Sequence, residues 1–194
     1  MEKYMHKKLS LIILLFLPAV AQAKIDLAGE LSVGRSQKKD DTSFSVKGVY
    51  NYNQYFGVEV SYIDFGNLAE TEKGDHGFYY YDVEADSVNL GVKIGNYLHK
   101  DLYVVARFGL SLWGGSLGTL YESTLPPVED RFTDYPTLSD EGKGYYFSFG
   151  FRKHLTDNVY VGGELTQYNW DSQKIFYFEN YKLNNISLLV GYDF

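Results

Sequence analysis

The chain of 194 residues contains no cysteine, and this absence excludes several classes of protein. Without cysteine there is no disulfide scaffold, thiolate metal site, cysteine nucleophile or lipid anchor attached to a cysteine. Cations are also scarce, because 18 Lys and Arg stand against 25 Asp and Glu, which gives a formal net charge of −7. A nucleic-acid-binding protein needs clustered Lys and Arg to neutralise phosphates, so that class is disfavoured.

The sequence also lacks an apolar run long enough for a membrane-spanning helix. The longest such run is Leu9–Val20, and Ser10 and Pro18 interrupt it. As a helix this run measures only about 18 Å, whereas a bilayer core is about 30 Å thick. A multi-helix membrane protein is therefore excluded.

This apolar run instead resembles the middle of a secretory signal peptide. Lys3, Lys7 and Lys8 precede it, and the small residues of the 21–23 segment, Ala-Gln-Ala, follow it. A basic start, a short apolar middle and an A-x-A end are typical of a cleavable signal. The sequence predicts a signal peptide over residues 1–23 and an exported domain over residues 24–194.

What the exported part contains is alternation of apolar and polar residues with period two. Tyr and Phe are abundant, with 19 and 13 copies, and there are 19 Gly. Such alternation in short segments predicts β-strands rather than helices. The predicted strands cover residues 26–36, 43–52, 55–64, 85–96, 102–113, 144–153, 158–170 and 183–194.

Two folds fit eight alternating strands, and the polar faces favour one of them. In a soluble lipocalin-like barrel the apolar faces point inward, whereas in a membrane barrel they face lipid. The polar faces here are rich in Gly and Ser with sparse charges, which suits a narrow enclosed interior. The charges predicted to point inward and pair with one another are Glu30, Lys47, Glu59, Lys93, Arg107, Arg152 and Glu164.

The connections between predicted strands alternate in length. Those around residues 53–54, 97–100 and 154–157 are short, while residues 37–42, 65–84, 114–143 and 171–182 form longer ones. Outer-membrane barrels have short periplasmic turns and longer external loops. The sequence therefore predicts an all-β, eight-stranded antiparallel up-and-down transmembrane β-barrel, with both ends of the barrel domain in the periplasm.

Aromatic residues cluster near the ends of the predicted strands, as expected for two interfacial girdles. The girdle at the long loops is predicted to contain Tyr62, Phe65, Trp113, Tyr145, Tyr168, Trp170 and Tyr181. The girdle at the short turns is predicted to contain Tyr50, Tyr52, Tyr55, Phe56, Tyr97, Tyr103, Tyr160, Tyr192 and Phe194.

The last strand, with the sequence NISLLVGYDF over residues 185–194, resembles the C-terminal signal read by the outer-membrane barrel assembly machinery. Residues 89–113 and 163–170 resemble the transmembrane domain of OmpA-type proteins, an architecture that OmpX-type and opacity-protein barrels share. The resemblance implies a barrel in the outer membrane of a Gram-negative bacterium. We do not expect cell-wall tethering, because the resemblance to OmpA-type proteins covers the barrel domain and not their peptidoglycan-binding domain. The residues of the assembly signal would be Ile186, Leu188, Val190, Tyr192 and Phe194.

A barrel of eight strands is only wide enough for its own side chains, so the inward charges are expected to fill the interior. OmpA-like barrels are similar in this respect. A narrow gated ion path or small transporter stays open as the alternative. We expect no enzyme, cofactor or metal site, because His76, His99 and His154 lack the strand-borne Ser partner of lipid A deacylases of the PagL type.

The two longest connections, residues 65–84 and 114–143, are strongly acidic. Acidic loops are usually solvated, but they are also candidates for cation-bridged contact with lipopolysaccharide. A host or phage ligand would contact Tyr121, Phe132 and Tyr135. The expected partners are therefore outer-membrane lipid and lipopolysaccharide, the assembly machinery and an unidentified surface ligand, with the protein itself a monomer and no nucleic acid bound.

Overall fold

In the computed structural model, the residues described are 26–36, 42–67, 70–123, 132–172 and 178–194. The predicted signal peptide, residues 1–23, lies outside them. The described residues form antiparallel strands joined by turns, and they contain no helix that could cross a membrane. The strands are β1 Leu27–Ser36, β2 Thr42–Asn51, β3 Phe56–Asn67, β4 Glu70–Gly74, β5 Gly77–His99, β6 Leu102–Ser123, β7 Phe132–His154, β8 Val159–Ser172 and β9 Phe178–Asp193.

Eight of these strands close into a ring, which confirms the predicted fold class. Each ring strand pairs with the next, and the seam is closed by β1 against β9 over nine residue pairs from Ala28 to Ser36. β3 pairs directly with β5, so β4 lies outside the ring and pairs only with the outer part of β5. This short ninth strand was not predicted from the sequence.

The orientation of the side chains is inverted relative to a soluble protein. The exposed fraction is 64% for Leu90, 61% for Phe149 and 74% for Leu188, whereas it is 2% for Glu59 and 1% for Arg107. Exposing such a belt of large apolar side chains to water would be unfavourable, whereas contact with lipid acyl chains is favourable. The soluble lipocalin-like alternative is therefore wrong.

The short turns are fixed by side-chain caps that set the register of the strands they join. Asn53 Oδ1 accepts hydrogen bonds from the backbone N–H groups of Tyr55 and Phe56, at 2.8 and 2.9 Å. At the turn between β7 and β8, Thr156 Oγ1 accepts one from the Val159 N–H at 3.0 Å. Asn and Thr side chains commonly close turns in this way.

The prediction of long loops over residues 65–84 and 114–143 was wrong for most of their length. β5 and β6 stay paired from Tyr97 and Tyr103 out to Gly77 and Ser123. Cross-strand aromatic contacts stabilise this extension, since the rings of Tyr79 and Tyr121 lie 4.7 Å apart. The acidic composition suggested loops, but it proves compatible with strands whose faces are solvated.

Pro136 lies within β7 although proline normally interrupts a strand. The register shifts there, because Leu117 faces Leu138 while Thr119 faces Tyr135. The extra residue on β7 forms a β-bulge, a position at which a sheet tolerates proline. The Pro126-Pro127 pair lies outside the described residues.

The girdle predicted at the long loops was wrong for five aromatic residues. Phe65, Trp113, Tyr168 and Trp170 point into the barrel, and Trp170 has no exposed surface. Tyr181 packs against them, with its ring stacked on that of Trp170. The reason is their parity: Trp113 follows inward Ser111 by two residues, so the alternation of the strand turns it inward as well. Tyr145 does face outward, with 56% of its surface exposed. At the short turns, Tyr103 and Tyr160 also point inward. The other seven predicted girdle residues are exposed, Tyr52 and Phe194 most of all.

Inside the ring, glycines make room for a large side chain. The ring of Tyr146 covers Gly91 and Gly109, which face each other on β5 and β6. A Cβ at position 91 would overlap the Tyr146 hydroxyl. That hydroxyl donates a hydrogen bond of 2.7 Å to Glu59 Oε1. The glycine pair thus positions a tyrosine that holds a buried carboxylate.

Gly91→Ala is expected to destabilise the folded protein by about 1–3 kcal/mol, because the added methyl displaces Tyr146 from Glu59. Urea unfolding in lipid vesicles measures the loss. Gly29→Ala is the matched control, since a Cβ there would meet Phe194 at an ordinary 3.5 Å. Equal stability of the two variants would contradict the proposed role of the glycine pair.

Candidate functional site

The sequence predicted a set of inward charges, and the structure places all seven inside the barrel. Each comes from a different strand, so they meet only when the ring is closed. The contributing residues are Glu30 on β1, Lys47 on β2, Glu59 on β3, Lys93 on β5, Arg107 on β6, Arg152 on β7 and Glu164 on β8.

Arg107 lies at the centre of this set and contacts three carboxylates. Its Nη2 is 2.9 Å from Glu30 Oε2, and its Nε is 2.6 Å from Glu59 Oε2. Its Nη1 forms an ion pair with Glu164. A guanidinium has five N–H donors in a planar fork, which allows one side chain to bridge β1, β3 and β8.

Two further cations complete the contacts of the same carboxylates. Lys47 Nζ lies 2.9 Å from Glu164 Oε1 and 3.7 Å from Glu30 Oε2. Arg152 Nη2 lies 2.5 Å from Glu30 Oε1. Three carboxylates thus face three cations in what we call the charge network: Glu30, Lys47, Glu59, Arg107, Arg152 and Glu164. Formal charge balances within it, as buried ions require.

Lys93 is placed beside the charge network and contacts different groups. Among the described residues its ammonium bonds the side-chain oxygen of Asn51 and lies 5.2 Å from the centre of the Tyr103 ring. Asn51 in turn donates from Nδ2 to Asp26 Oδ1 at 3.1 Å. Lys93 therefore belongs to the interior, but through an amide and an aromatic face rather than a carboxylate.

A cavity of about 230 Å³ lies between the charge network and the short turns. Lys93, Arg152, His154 and Asp193 are among its lining residues. His154 Nε2 lies 3.3 Å from Asp193 Oδ2. The hydroxyl of Thr156, the nearest candidate nucleophile in sequence, caps the β7–β8 turn instead. No reacting pair is formed there.

On the opposite side of the charge network the interior is apolar. We call this the aromatic plug, and its central side chains are Phe65, Trp113, Tyr168 and Trp170. Trp113 stacks on Trp170 with ring centres 5.4 Å apart, and Phe65 meets Trp170 edge-on at 5.2 Å. Trp170 Nε1 donates to Ser111 Oγ at 3.0 Å. The side chains packed around these rings are Ile63, Val83, Leu117 and Leu183.

The aromatic plug was missed from the sequence, although its signal was present. Trp113 lies two residues from the inward-facing Ser111 on β6, so it has the inward parity. Tyr168 and Trp170 are related in the same way to the inward-facing Thr166 on β8. These aromatic residues were nonetheless assigned to the outward girdle, because they lie near the strand ends. Parity is the stronger indicator, because side chains in a strand alternate strictly between its two faces.

The residues of the predicted assembly signal lie on the outward face of β9. Ile186, Leu188, Val190, Tyr192 and Phe194 are all exposed. β9 closes the ring against β1, and the Phe194 N–H donates to the Leu27 carbonyl at 2.8 Å. The predicted signal thus coincides with the strand that forms the seam.

Among the described residues, no three His, Asp or Glu side chains form a group that could hold a metal ion. His76 and His99 are exposed. The described interior is an ionic and aromatic core, with a cavity of about 230 Å³ at its short-turn end.

Several solved structures that this chain resembles are outer-membrane barrels. The N-terminal beta-barrel domain of Pseudomonas aeruginosa OprF is 12% identical, with 89% of this chain and 100% of that chain covered and a TM-score of 0.56. Neisserial surface protein A is 14% identical, with 88% and 96% covered and a TM-score of 0.54. A major outer membrane protein from Thermus thermophilus is 11% identical, with 89% and 100% covered and a TM-score of 0.64. At such identities the likeness concerns the fold.

No protein among the curated sequences shows a significant match to this chain. The family profile described as "Outer membrane protein beta-barrel domain" matches residues 10–194. A closed antiparallel ring, an apolar exterior and an ionic interior agree with that profile. This chain belongs to the outer membrane protein beta-barrel family.

Proposed function

We propose that this protein is a non-enzymatic barrel of the outer membrane that strengthens the envelope and presents a surface for contact outside the cell. The observation that carries the proposal is the contrast between the two parts of the chain. The interior is filled by the charge network and the aromatic plug, whereas β4, β5, β6 and β7 extend beyond the ring as an antiparallel sheet.

We call this extension the outer sheet; it comprises β4 and residues 77–85, 115–123 and 132–141. The outer sheet is strongly acidic, and Lys73 is the single Lys or Arg residue in it. The acidic residues are Glu70, Glu72, Asp82, Glu84, Glu122, Asp134, Asp140 and Glu141. Phe132 and Tyr135 are 56% and 45% exposed among them. Exposed aromatic side chains within a field of one charge sign are typical of contact surfaces.

The outer part of β7 also has an open side within the described residues. It pairs with β6 from Phe132, but its pairing with β8 begins only at Gly144. Unpaired strand edges can accept an extended segment from another chain. Together with the acidic charge, this edge favours a cationic, extended partner segment at the cell surface.

The binding of a fluorescent lysine-rich peptide to intact cells tests this surface. Replacing Asp134, Asp140 and Glu141 by their amides is expected to weaken binding at least about fivefold and to reduce its sensitivity to salt. Asp157→Asn, at a short turn on the opposite end, is the control and should bind like the unmodified protein. Binding that ignores the outer-sheet substitutions would contradict the proposal.

A narrow gated channel is the second candidate, favoured by the cavity of about 230 Å³ between the short turns and the charge network. Passage beyond this cavity would require both Arg107 and the aromatic plug to move. The filled interior therefore predicts no stable conductance of porin size in planar bilayers. Trp113→Ala combined with Trp170→Ala should raise conductance, and a steady ohmic pore in the unmodified protein would overturn the filled-interior proposal.

Removing the central guanidinium tests whether the charge network supports the fold. Arg107→Gln leaves Glu30, Glu59 and Glu164 with too little positive charge, and we expect a loss of about 3–5 kcal/mol in unfolding free energy. Lys93→Gln is the matched control, as a buried cation outside the ion pairs, and should cost less. Adding Glu59→Gln to Arg107→Gln is expected to recover part of the lost unfolding free energy. Equal losses for Arg107→Gln and Lys93→Gln would contradict a stabilising role of the charge network.

A further inference from the structure

The cavity at the short-turn end of the barrel takes no part in the surface contact proposed above. Its volume is about 230 Å³, whereas one water molecule occupies about 30 Å³ in the liquid. The exposed turn residues Asn53 and Gln54 are among those that line it, so the cavity is reached from the short-turn side. It is therefore large enough and open enough to admit a small organic molecule.

Four ring-bearing side chains form a continuous wall of this cavity. The ring centres of Tyr103 and Tyr97 lie 5.0 Å apart, and those of Tyr97 and His154 lie 5.9 Å apart. His154 continues the wall to Tyr160, with ring centres 5.4 Å apart. The four residues come from β5, β6, β7 and β8, so neighbouring strands build the wall together. We call it the aromatic wall.

A buried cation lies at each end of the aromatic wall. Lys93 Nζ is 5.2 Å from the centre of the Tyr103 ring, and the guanidinium carbon of Arg152 is 5.5 Å from that of Tyr160. An ammonium group has three N–H donors, and one of those of Lys93 goes to Asn51. Arg152 is 3% exposed, and within the described residues its Nε has no hydrogen-bond partner. Both cations line the cavity and keep donors for a bound anionic group.

Two carboxylates lie nearer the mouth of the cavity. Asp26 directly precedes β1 and is exposed, and Asp193 is the last residue of β9, with 31% of its side chain exposed. Asp26 Oδ1 accepts a hydrogen bond from Asn51 Nδ2 at 3.1 Å, and Asp193 Oδ2 lies 3.3 Å from His154 Nε2. A carboxylate offers about four acceptor sites, so both keep acceptor capacity for a bound cationic group.

The charges of this lining disfavour a ligand that carries a single sign. A simple anion would meet the carboxylates of Asp26, Glu30 and Asp193, and a simple cation would meet Lys93 and Arg152. A ligand with both charges can place each beside its opposite and leaves the formal charge of the cavity unchanged. Such matching avoids an unpaired charge in a site that is largely shielded from water.

We propose that this cavity binds a small zwitterion of the amino-acid class, with one carboxylate and one ammonium group. The ligand carboxylate accepts from Lys93 Nζ and Arg152 Nε, in charge-assisted hydrogen bonds. The ligand ammonium lies nearer the mouth, where it donates to Asp26 and Asp193. The aromatic wall covers the carbon atoms between the two groups, and its tyrosine faces also attract an ammonium group.

The proposal is tested by titrating the folded protein, purified from outer membranes in non-ionic detergent, with glycine, β-alanine and 4-aminobutyrate. The two charges lie progressively further apart in this series, and saturation-transfer NMR measures each dissociation constant. We expect saturable binding of at least one member. Acetate and propylamine, which each carry one of the two charges, should bind at least about tenfold more weakly than that member, because half of the charge contacts are missing.

Substitutions at the two ends of the site separate its two halves. Lys93→Gln and Asp193→Asn are each expected to weaken binding of the same zwitterion at least about tenfold, because each removes one charged contact. Lys153→Gln and Asp157→Asn are the matched controls, since both residues are exposed at the short-turn end and neither lines the cavity. Both controls should bind like the unmodified protein.

Several outcomes would overturn the proposal. The absence of saturable binding across the series would mean that the cavity holds only water. Acetate binding as tightly as the zwitterion would identify a simple anion site, and unchanged binding by folded Lys93→Gln would place the ligand elsewhere. The gel mobility of unheated samples verifies that every variant is folded. The readout is independent of the peptide binding that tests the outer sheet, so either proposal can fail alone.

Discussion

The structure depends on one constraint: a backbone N–H or C=O group in hydrocarbon must find its partner within the protein. The nine residue pairs between β1 and β9 satisfy it by closing the sheet on itself. Closing with eight strands makes the ring so narrow that side chains alone fill it. Each inward position then has to match the space left by its neighbours, as Gly91 and Gly109 do for Tyr146. The filled interior is therefore a consequence of ring closure. Contacts with other molecules are left to the exterior and the two ends of the barrel.

Two kinds of packing share this narrow interior. The charge network occupies the part nearer the short turns, where three carboxylates meet three cations. The aromatic plug occupies the part nearer the outer sheet and keeps water from that side. An ion pair gains strength when water is excluded, and it becomes costly when one partner is lost. The aromatic plug therefore raises the free-energy cost of leaving a charge in the network unpaired.

Much of this arrangement could be predicted from the sequence, because strand parity is a strict physical rule. The seven interior charges, from Glu30 to Glu164, were assigned to the correct face on parity alone. Trp113 and Trp170 were misassigned where a statistical preference for interfacial aromatics was allowed to override that rule. Strand length was harder to predict, since Tyr79 and Tyr121 stabilise β5 and β6 through a contact between residues 42 apart, which no local pattern reveals. Partner choice within the interior, such as Lys93 with Asn51, depends on the stagger of the strands and was equally hidden.

The three carboxylates around Arg107 also bear on the order in which the barrel forms. Glu30 and Arg107 are separated by 77 residues, and Lys47 and Glu164 by 117. Contacts of such long sequence separation are slow to form, because the intervening chain must first lose its freedom. The guanidinium meets its last carboxylate only once β8 has joined the sheet. A half-assembled chain would hold Arg107 with an incomplete set of counter-ions, so insertion and closure become a single cooperative event in which late strands complete the electrostatics of early ones.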